Sequence, residues 1–177
     1  FDALAAAHSY ESVGTSDGAE VTHTYPMYSL QKVFEGESWP DMFKVSTVIQ
    51  TVKLDGAAVA LTYSDGKFLM GLTRGDGKKG RVITRLLKHL VPARIERKGL
   101  IQITGEVVAS KEISNARNYA SGALNLKDEE EFLTRDLTFI AYDVWPKQTS
   151  FWSEDLKALS EFFTVLDSDW SQFPDDG

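Results

Sequence analysis

The sequence predicts an α+β domain of mainly antiparallel sheet with flanking helices. Two strand-like runs, Ala57 to Tyr63 and Lys67 to Thr73, flank Ser64-Asp65-Gly66, a hairpin signal with glycine where positive φ is needed. Further strand patterns follow at Gly99 to Ala109 and Leu137 to Val144. Helical spacing is confined to Arg81 to Leu90 and Ser153 to Leu166. A length of 177 residues suits one domain.

Taken in order, Phe1 to Ala7 is alanine-rich and reads as the end of a helix. Ser12 to Thr24, rich in Ser, Thr, Gly and Asp, reads as a loop. Thr47 to Leu54 is rich in β-branched residues and reads as a strand that leads into the hairpin. Gly75, Gly77 and Gly80 make Arg74 to Gly80 a tight polar loop. Val82, Ile83, Leu86, Leu87 and Leu90 recur at helical spacing, and Pro92 stops the pattern. Pro146 bounds the run from Leu137. In the last segment Ser153 reads as N-cap, with Glu154 and Asp155 in the first turn. Leu156, Leu159, Phe163 and Leu166 form its apolar face.

The composition is 42% hydrophobic, with four Trp, six Tyr and ten Phe, enough to build a core. No run approaches twenty apolar residues, so no membrane helix is expected. Cysteine is absent, which removes disulfides, thiolate metal sites and cysteine nucleophiles. With no cysteine and no signal peptide, a cytoplasmic location is expected. The chain opens on Phe1, so an upstream segment is expected to have been removed or left out.

The formal charge of −7 argues against a nucleic-acid binder, but the charge is unevenly spread. Arg74 to Lys98 holds nine basic residues against Asp76 and Glu96. Asp128 to Gly177 holds thirteen acids against Arg135, Lys147 and Lys157. A basic face for phosphates and a solvated acidic face are expected.

His8, His23 and His89 are scattered, and none has metal-ligand spacing. Neither a Gly-x-x-x-x-Gly-Lys-Ser/Thr loop nor a Gly-x-Gly-x-x-Gly turn is present. Lys53-Leu54-Asp55-Gly56 stands where a strand meets a glycine turn, a weak signal alone. Its surroundings sharpen it. Upstream lies His23-Thr24-Tyr25-Pro26-Met27-Tyr28-Ser29-Leu30, and downstream Thr73-Arg74-Gly75-Asp76-Gly77. Gly105-Glu106-Val107 and Asn115-Ala116-Arg117-Asn118-Tyr119-Ala120-Ser121-Gly122 complete the series. In this order the strings resemble the adenylation (nucleotidyltransferase) domain of NAD-dependent DNA ligases, over essentially the whole chain.

The resemblance implies that Lys53 attacks the α-phosphorus of NAD, forming lysyl-AMP and releasing nicotinamide mononucleotide. An amine nucleophile must shed its proton, so the chemistry calls for burial and cationic neighbours. Arg74 and a bound Mg2+ ion are the implied sources. Asp55 lies beside the nucleophile. Ser29 and Leu30 match a pair beside the adenine, and Tyr142 matches the aromatic that stacks on it. Arg74 and Glu106 match residues around the ribose, and Asp2 matches an aspartate that grips nicotinamide mononucleotide. Arg117 matches a residue facing the phosphates of a DNA nick, and with the basic run from Lys78 and Lys79 to Lys98 it would give a phosphate-tracking surface. No residue is expected to form a metal site of its own. Three positions depart from the family pattern: Phe1 replaces a tyrosine, Thr51 a glutamate, and Asn125 a second arginine.

Residues 1–7 match the remnant of an N-terminal helical subdomain, and 8–177 an adenylation domain lacking its C-terminal strands. The expected substrate is nicked double-stranded DNA, with no membrane partner. A second polypeptide is expected to supply the missing motifs of a truncated or split ligase. The alternatives are an ATP-dependent nucleotidyltransferase and a non-catalytic nucleotide- and DNA-binding subunit.

Overall fold

The computed structural model describes residues 16–38, 49–166 and 174–175. The helix end read at Phe1 to Ala7, together with Asp2, lies outside these residues. The predicted hairpin forms as β2 (Ala57–Ser64) and β3 (Lys67–Thr73). Asp65 at φ 46° and Gly66 at φ 78° make the turn. Both central residues need positive φ to match the strand twist, which is why Asp-Gly stands there.

β2 then pairs with β5 (Leu100–Ala109), and β5 with β6 (Leu137–Trp145), all antiparallel. β7 (Thr164–Val165) adds in parallel to β6, giving a five-stranded sheet of order β3-β2-β5-β6-β7. The α+β expectation is met. Successive side chains alternate between the faces, and cross-strand partners share one. One face carries Val59, Leu61, Tyr63, Ile101, Ile103 and Val107, all fully or almost fully buried. The helices α1 (Thr84–Leu87), α2 (Ala116–Ala123), α3 (Glu129–Leu133) and α4 (Trp152–Leu159) contribute Leu86, Leu87, Ala120, Phe132, Leu156 and Leu159 to the same core. The other face carries Ala58, Thr104 and Glu106 and is the face of the site.

Several expectations change. The helix read over Arg81 to Leu90 shrinks to α1, because its first residues are spent elsewhere. Lys79–Arg81 form β4, paired with β1 (Glu20–Thr22). The N–H groups of Val82 and Ile83 donate to Ala19 and Gly71 carbonyls, so a helix can begin only at Thr84. β1 itself lies in a segment read as loop. The last helix starts at Trp152 and stops at Leu159, because Thr164 and Val165 join the sheet. Ser153 therefore sits inside the first turn, and the cap position is Phe151. Of the strand read at Thr47 to Leu54, the described part forms only a bridge from Leu54 to Asp175. α2 and α3 were not legible as helices. Asp128 caps α3 through Glu130 N at 2.9 Å, with three acids in its first turn.

Candidate active site

Lys53 to Gly56 enter the sheet at the start of β2, fixed by the buried Leu54 and by Asp55 N donating to Pro174 O at 3.0 Å. Lys53 is half-buried. Asp55 accepts from Arg117 Nε at 2.9 Å, which ties the first turn of α2 to this loop. Gly56 is required by close approach. A Cβ there would lie 2.4 Å from Val107 O and 2.8 Å from Glu106 Cγ.

Glu106 sits on β5 between Ala58 and Ile140, its partners on the adjacent strands. Burial pushes its carboxyl up to about 7, while Arg117 and Lys53 oppose the rise and Asp55 adds to it. The Gly56 N–H donates to it and also favours the charged form. Tyr142 joins the group by a hydrogen bond with Glu106. Its phenol is pushed up first by burial and then by the Glu106 charge, with Arg74 opposing. Tyr142 stands where the β5–β6 register slips: Gly105 faces Ala141, but Thr104 faces Asp143. The extra residue re-aims a side chain that regular pleating would hold in line.

Beside this group lies an open cleft of about 190 Å³ lined by Met27, Ser29, Arg74, Asp76, Gly77 and Lys78. Arg74 is held by its N–H on Ala58 O, and its Nη2 donates to Ser29 Oγ. The loop that follows is folded by Asp76 Oδ1, which accepts from Lys78 N at 2.8 Å and Lys79 N at 2.7 Å. Those N–H groups hold the Asp76 carboxyl below its ordinary range. Met27 N donates to Gly77 O, and the buried His23 donates from Nε2 to Arg74 O at 3.0 Å. Burial lowers the His23 pKa, consistent with a neutral ring fixing the loop. Gln102, on β5, holds the segment after β1 by two bonds to the Tyr25 backbone, at 2.9 and 2.8 Å.

The structure thus brings Lys53, Asp55, Glu106, Tyr142 and Arg117 into one cluster, with Arg74 and Ser29 on the adjoining cleft. Lys78 is exposed at the cleft rim and Lys79 is exposed on β4. Leu30 is 75% exposed and does not line the cleft. Asp2 lies outside the described residues. Among the described residues, two members of the basic run pair with acids and a third is held by neutral groups. Arg85 pairs with Asp17 at 2.7 Å and Glu129 at 3.5 Å, and Lys88 with Glu129 at 3.0 Å. Arg97 donates to Ala158 O and covers Phe162. The roles of His23 and Gln102 rest on contacts 51 and 77 residues away, which no local pattern carries. Asn125, at the position of the expected arginine, accepts from Arg81 Nη2.

Among the described residues, no three His, Cys, Asp or Glu side chains cluster to hold a metal ion. That donor set fits a hard cation only if phosphates and water complete its shell. No helix of the described residues is long and apolar enough to cross a membrane.

A sheet carrying a half-buried lysine beside a carboxylate cluster, with an arginine-lined cleft, is a framework for group transfer. Residues 15–168 match the NAD-dependent DNA ligase adenylation domain, and the chain belongs to that family. It is 34% identical over 166 residues to a DNA ligase of Desulfosudis oleivorans, covering 73% of this chain and 24% of that protein. A DNA ligase of Oceanobacillus iheyensis is 33% identical over 174 residues, covering 83% of this chain and 25% of that protein. DNA ligase 1 of Nocardia farcinica is 34% identical over 145 residues, covering 71% and 22%. The chain spans about a quarter of the length of these relatives.

Proposed function

We propose that this chain performs the adenylate-transfer step of an NAD-dependent DNA ligase. Lys53 Nζ, once it has lost a proton, attacks the α-phosphorus of NAD. A P–N bond forms as the P–O bond to nicotinamide mononucleotide breaks, and that group leaves with the electron pair. The AMP then passes to the 5′-phosphate of a DNA nick, returning the amine, and the 3′-hydroxyl displaces it to seal the strand. Lys53 and Asp55 form the reacting loop. Ser29, Leu30, Arg74, Glu106 and Tyr142 are assigned to the nucleotide, with Asp2 to the nicotinamide end. Arg117, Lys78 and Lys79 are assigned to DNA phosphates. Mg2+, when bound, would neutralise phosphate charge; no residue of this chain is assigned to it.

One observation carries the reading: a carboxyl near neutrality, Glu106, stands at the junction of Lys53, Asp55, Arg117 and Tyr142. Perturbed titrating groups gathered beside a cleft mark a reacting site better than a structural ion pair. Arg74, held by Ser29, supports phosphate binding next to it.

The cellular setting is proposed as the cytoplasm, in replication and repair. Because the relatives are some four times longer, sealing is proposed to need segments of the kind this chain does not span. The test is incubation with NAD labelled in the adenylate, then denaturing electrophoresis and mass spectrometry. One AMP on Lys53 is expected. Labelling from ATP and not from NAD would overturn the reading.

A further inference from the structure

Arg81 closes β4, where its partner across the ladder is Glu20, a residue of opposite charge. The guanidinium does not settle there. Nη2 donates instead to Asn125 Oδ1, just beyond the C-terminus of α2. Asn125 is itself fixed, its Nδ2 donating to Ser121 O at 2.8 Å. Among the described residues, no carboxylate lies within ion-pairing distance of Arg81. Arg85, four residues on, shows the contrast, since Asp17 and Glu129 both neutralise it.

A guanidinium oriented by a neutral amide keeps its whole charge, and its fork retains donors for a further acceptor. Its place matters as well. Residues 117 and 121 recur at an interval of four on one side of α2, and Asn125 follows just past its end. Arg117 sits at the start of that row, exposed and tied to Asp55, and Asn125 at its end. Eight residues of helix rise about 12 Å. Phosphates of one DNA strand advance about 3.4 Å each along the axis, so a row of that length can reach more than one of them.

We propose that Arg81, presented on α2 by Asn125, contacts DNA backbone phosphate in line with Arg117. The proposal rests on the reading above that this chain handles nicked DNA. The bland role is a tie between β4 and α2, and the experiment separates the two.

The full chain is compared with Arg81→Gln, which removes the charge and keeps an amide, and with Arg81→Gln combined with Asn125→Arg. Affinity for a nicked duplex is measured by fluorescence anisotropy over a range of NaCl concentrations. Adenylate uptake from NAD and the thermal midpoint are measured on the same proteins. Arg81→Gln is expected to weaken DNA binding roughly three- to tenfold and to lower the salt slope by about one. Adenylate uptake should lose far less. The double variant should recover most of the slope, since the charge returns to the same place. Unchanged affinity and slope in Arg81→Gln would overturn the proposal. So would an equal loss of adenylate uptake and DNA binding alongside a large fall in thermal midpoint, the mark of a tie. A wild-type chain that takes up adenylate but binds no nicked duplex at low salt would instead sink the DNA reading, and this proposal with it.

Discussion

Glu106 is half-buried on β5 with a carboxyl that titrates near 7, so it favours its proton in the folded state. The consequence for stability has a definite sign. The unfolded carboxyl titrates near 4.5, so between about pH 4.5 and 7 the folded state binds more protons. Stability from this group should fall as pH rises through that window and level off above it. The ceiling is on the order of 3 kcal/mol, reduced by the partial exposure of the site. Glu106→Gln should remove the fall, so urea unfolding at pH 5 and pH 8 should show the variant gaining on the wild type at pH 8. Parallel pH curves would refute it. The same substitution should slow adenylate uptake, a trade of activity against stability usual at reacting sites. Lys53 makes the opposite case. Its side chain is half-buried at the edge of the cluster and not in the core. Lys53→Ala is expected to abolish AMP incorporation with a thermal midpoint within about 2 °C of wild type, since changes outside the core stay within ~0.5 kcal/mol. A large loss of stability with labelling partly retained would contradict the assignment. Lys53, Asp55, Arg74, Glu106, Arg117 and Tyr142 were legible from their strings. The elevated titration of Glu106 was not, because it arises first from burial of the carboxyl between β2 and β6, which only the paired sheet creates.

Among the elements, the β2–β3 hairpin was readable because its two strands and its turn are written in adjacent residues. Gly66 shows how tightly that turn is specified. It lies at φ 78°, and a Cβ would stand 2.2 Å from Ile95 O, a backbone atom that cannot swing aside. Gly66→Ala should therefore cost about 2 kcal/mol or more, combining positive-φ strain with a steric clash. Urea denaturation checks this, and a loss below about 0.5 kcal/mol would show that the Ile95 segment gives way. The neighbouring helix is shorter than its pattern for the opposite reason. The apolar spacing from Val82 to Leu90 is helical, yet Val82 bridges to Leu72 and Ile83 donates to Gly71, both long-range demands invisible in the pattern. The final helix was overextended likewise, its periodic Leu166 donating to Ala141 O in β6. α2 escaped notice because Asn, Ala, Ser and Gly dominate it. It is held by Ala116, Ala120 and Ala123 against the sheet and not by large apolar groups.

Across the whole molecule the net charge is −7, and the pairing of Arg85 and Lys88 with acids confines the cationic region near the cleft to Arg74 to Arg81, with Arg117 beyond it tied to Asp55. Such a region can orient one nucleotide and a few phosphates, but a long DNA footprint needs more neutralised phosphates than it offers. In-line phosphoryl transfer depends on positioning and charge stabilisation, so the two halves of the proposed reaction place different demands on this chain. On the proposed reading, uptake of AMP from NAD needs only Lys53 and the cleft assigned to the nucleotide. Sealing also needs the nick held with both termini aligned, and the relatives devote about four times this length to the complete task. The isolated chain is therefore expected to become adenylated while sealing nicks at least about 100-fold more slowly than a complete relative, a deficit of roughly 3 kcal/mol in the sealing barrier. Adding the part of the Oceanobacillus iheyensis ligase that this chain does not span should raise sealing and leave the rate of NAD-dependent labelling nearly unchanged. Single-turnover assays that follow lysyl-AMP and ligated product separately decide the matter. Sealing by the chain alone at the rate of the complete relative would show that Arg74, Lys78, Arg81 and Arg117 suffice to hold the nick.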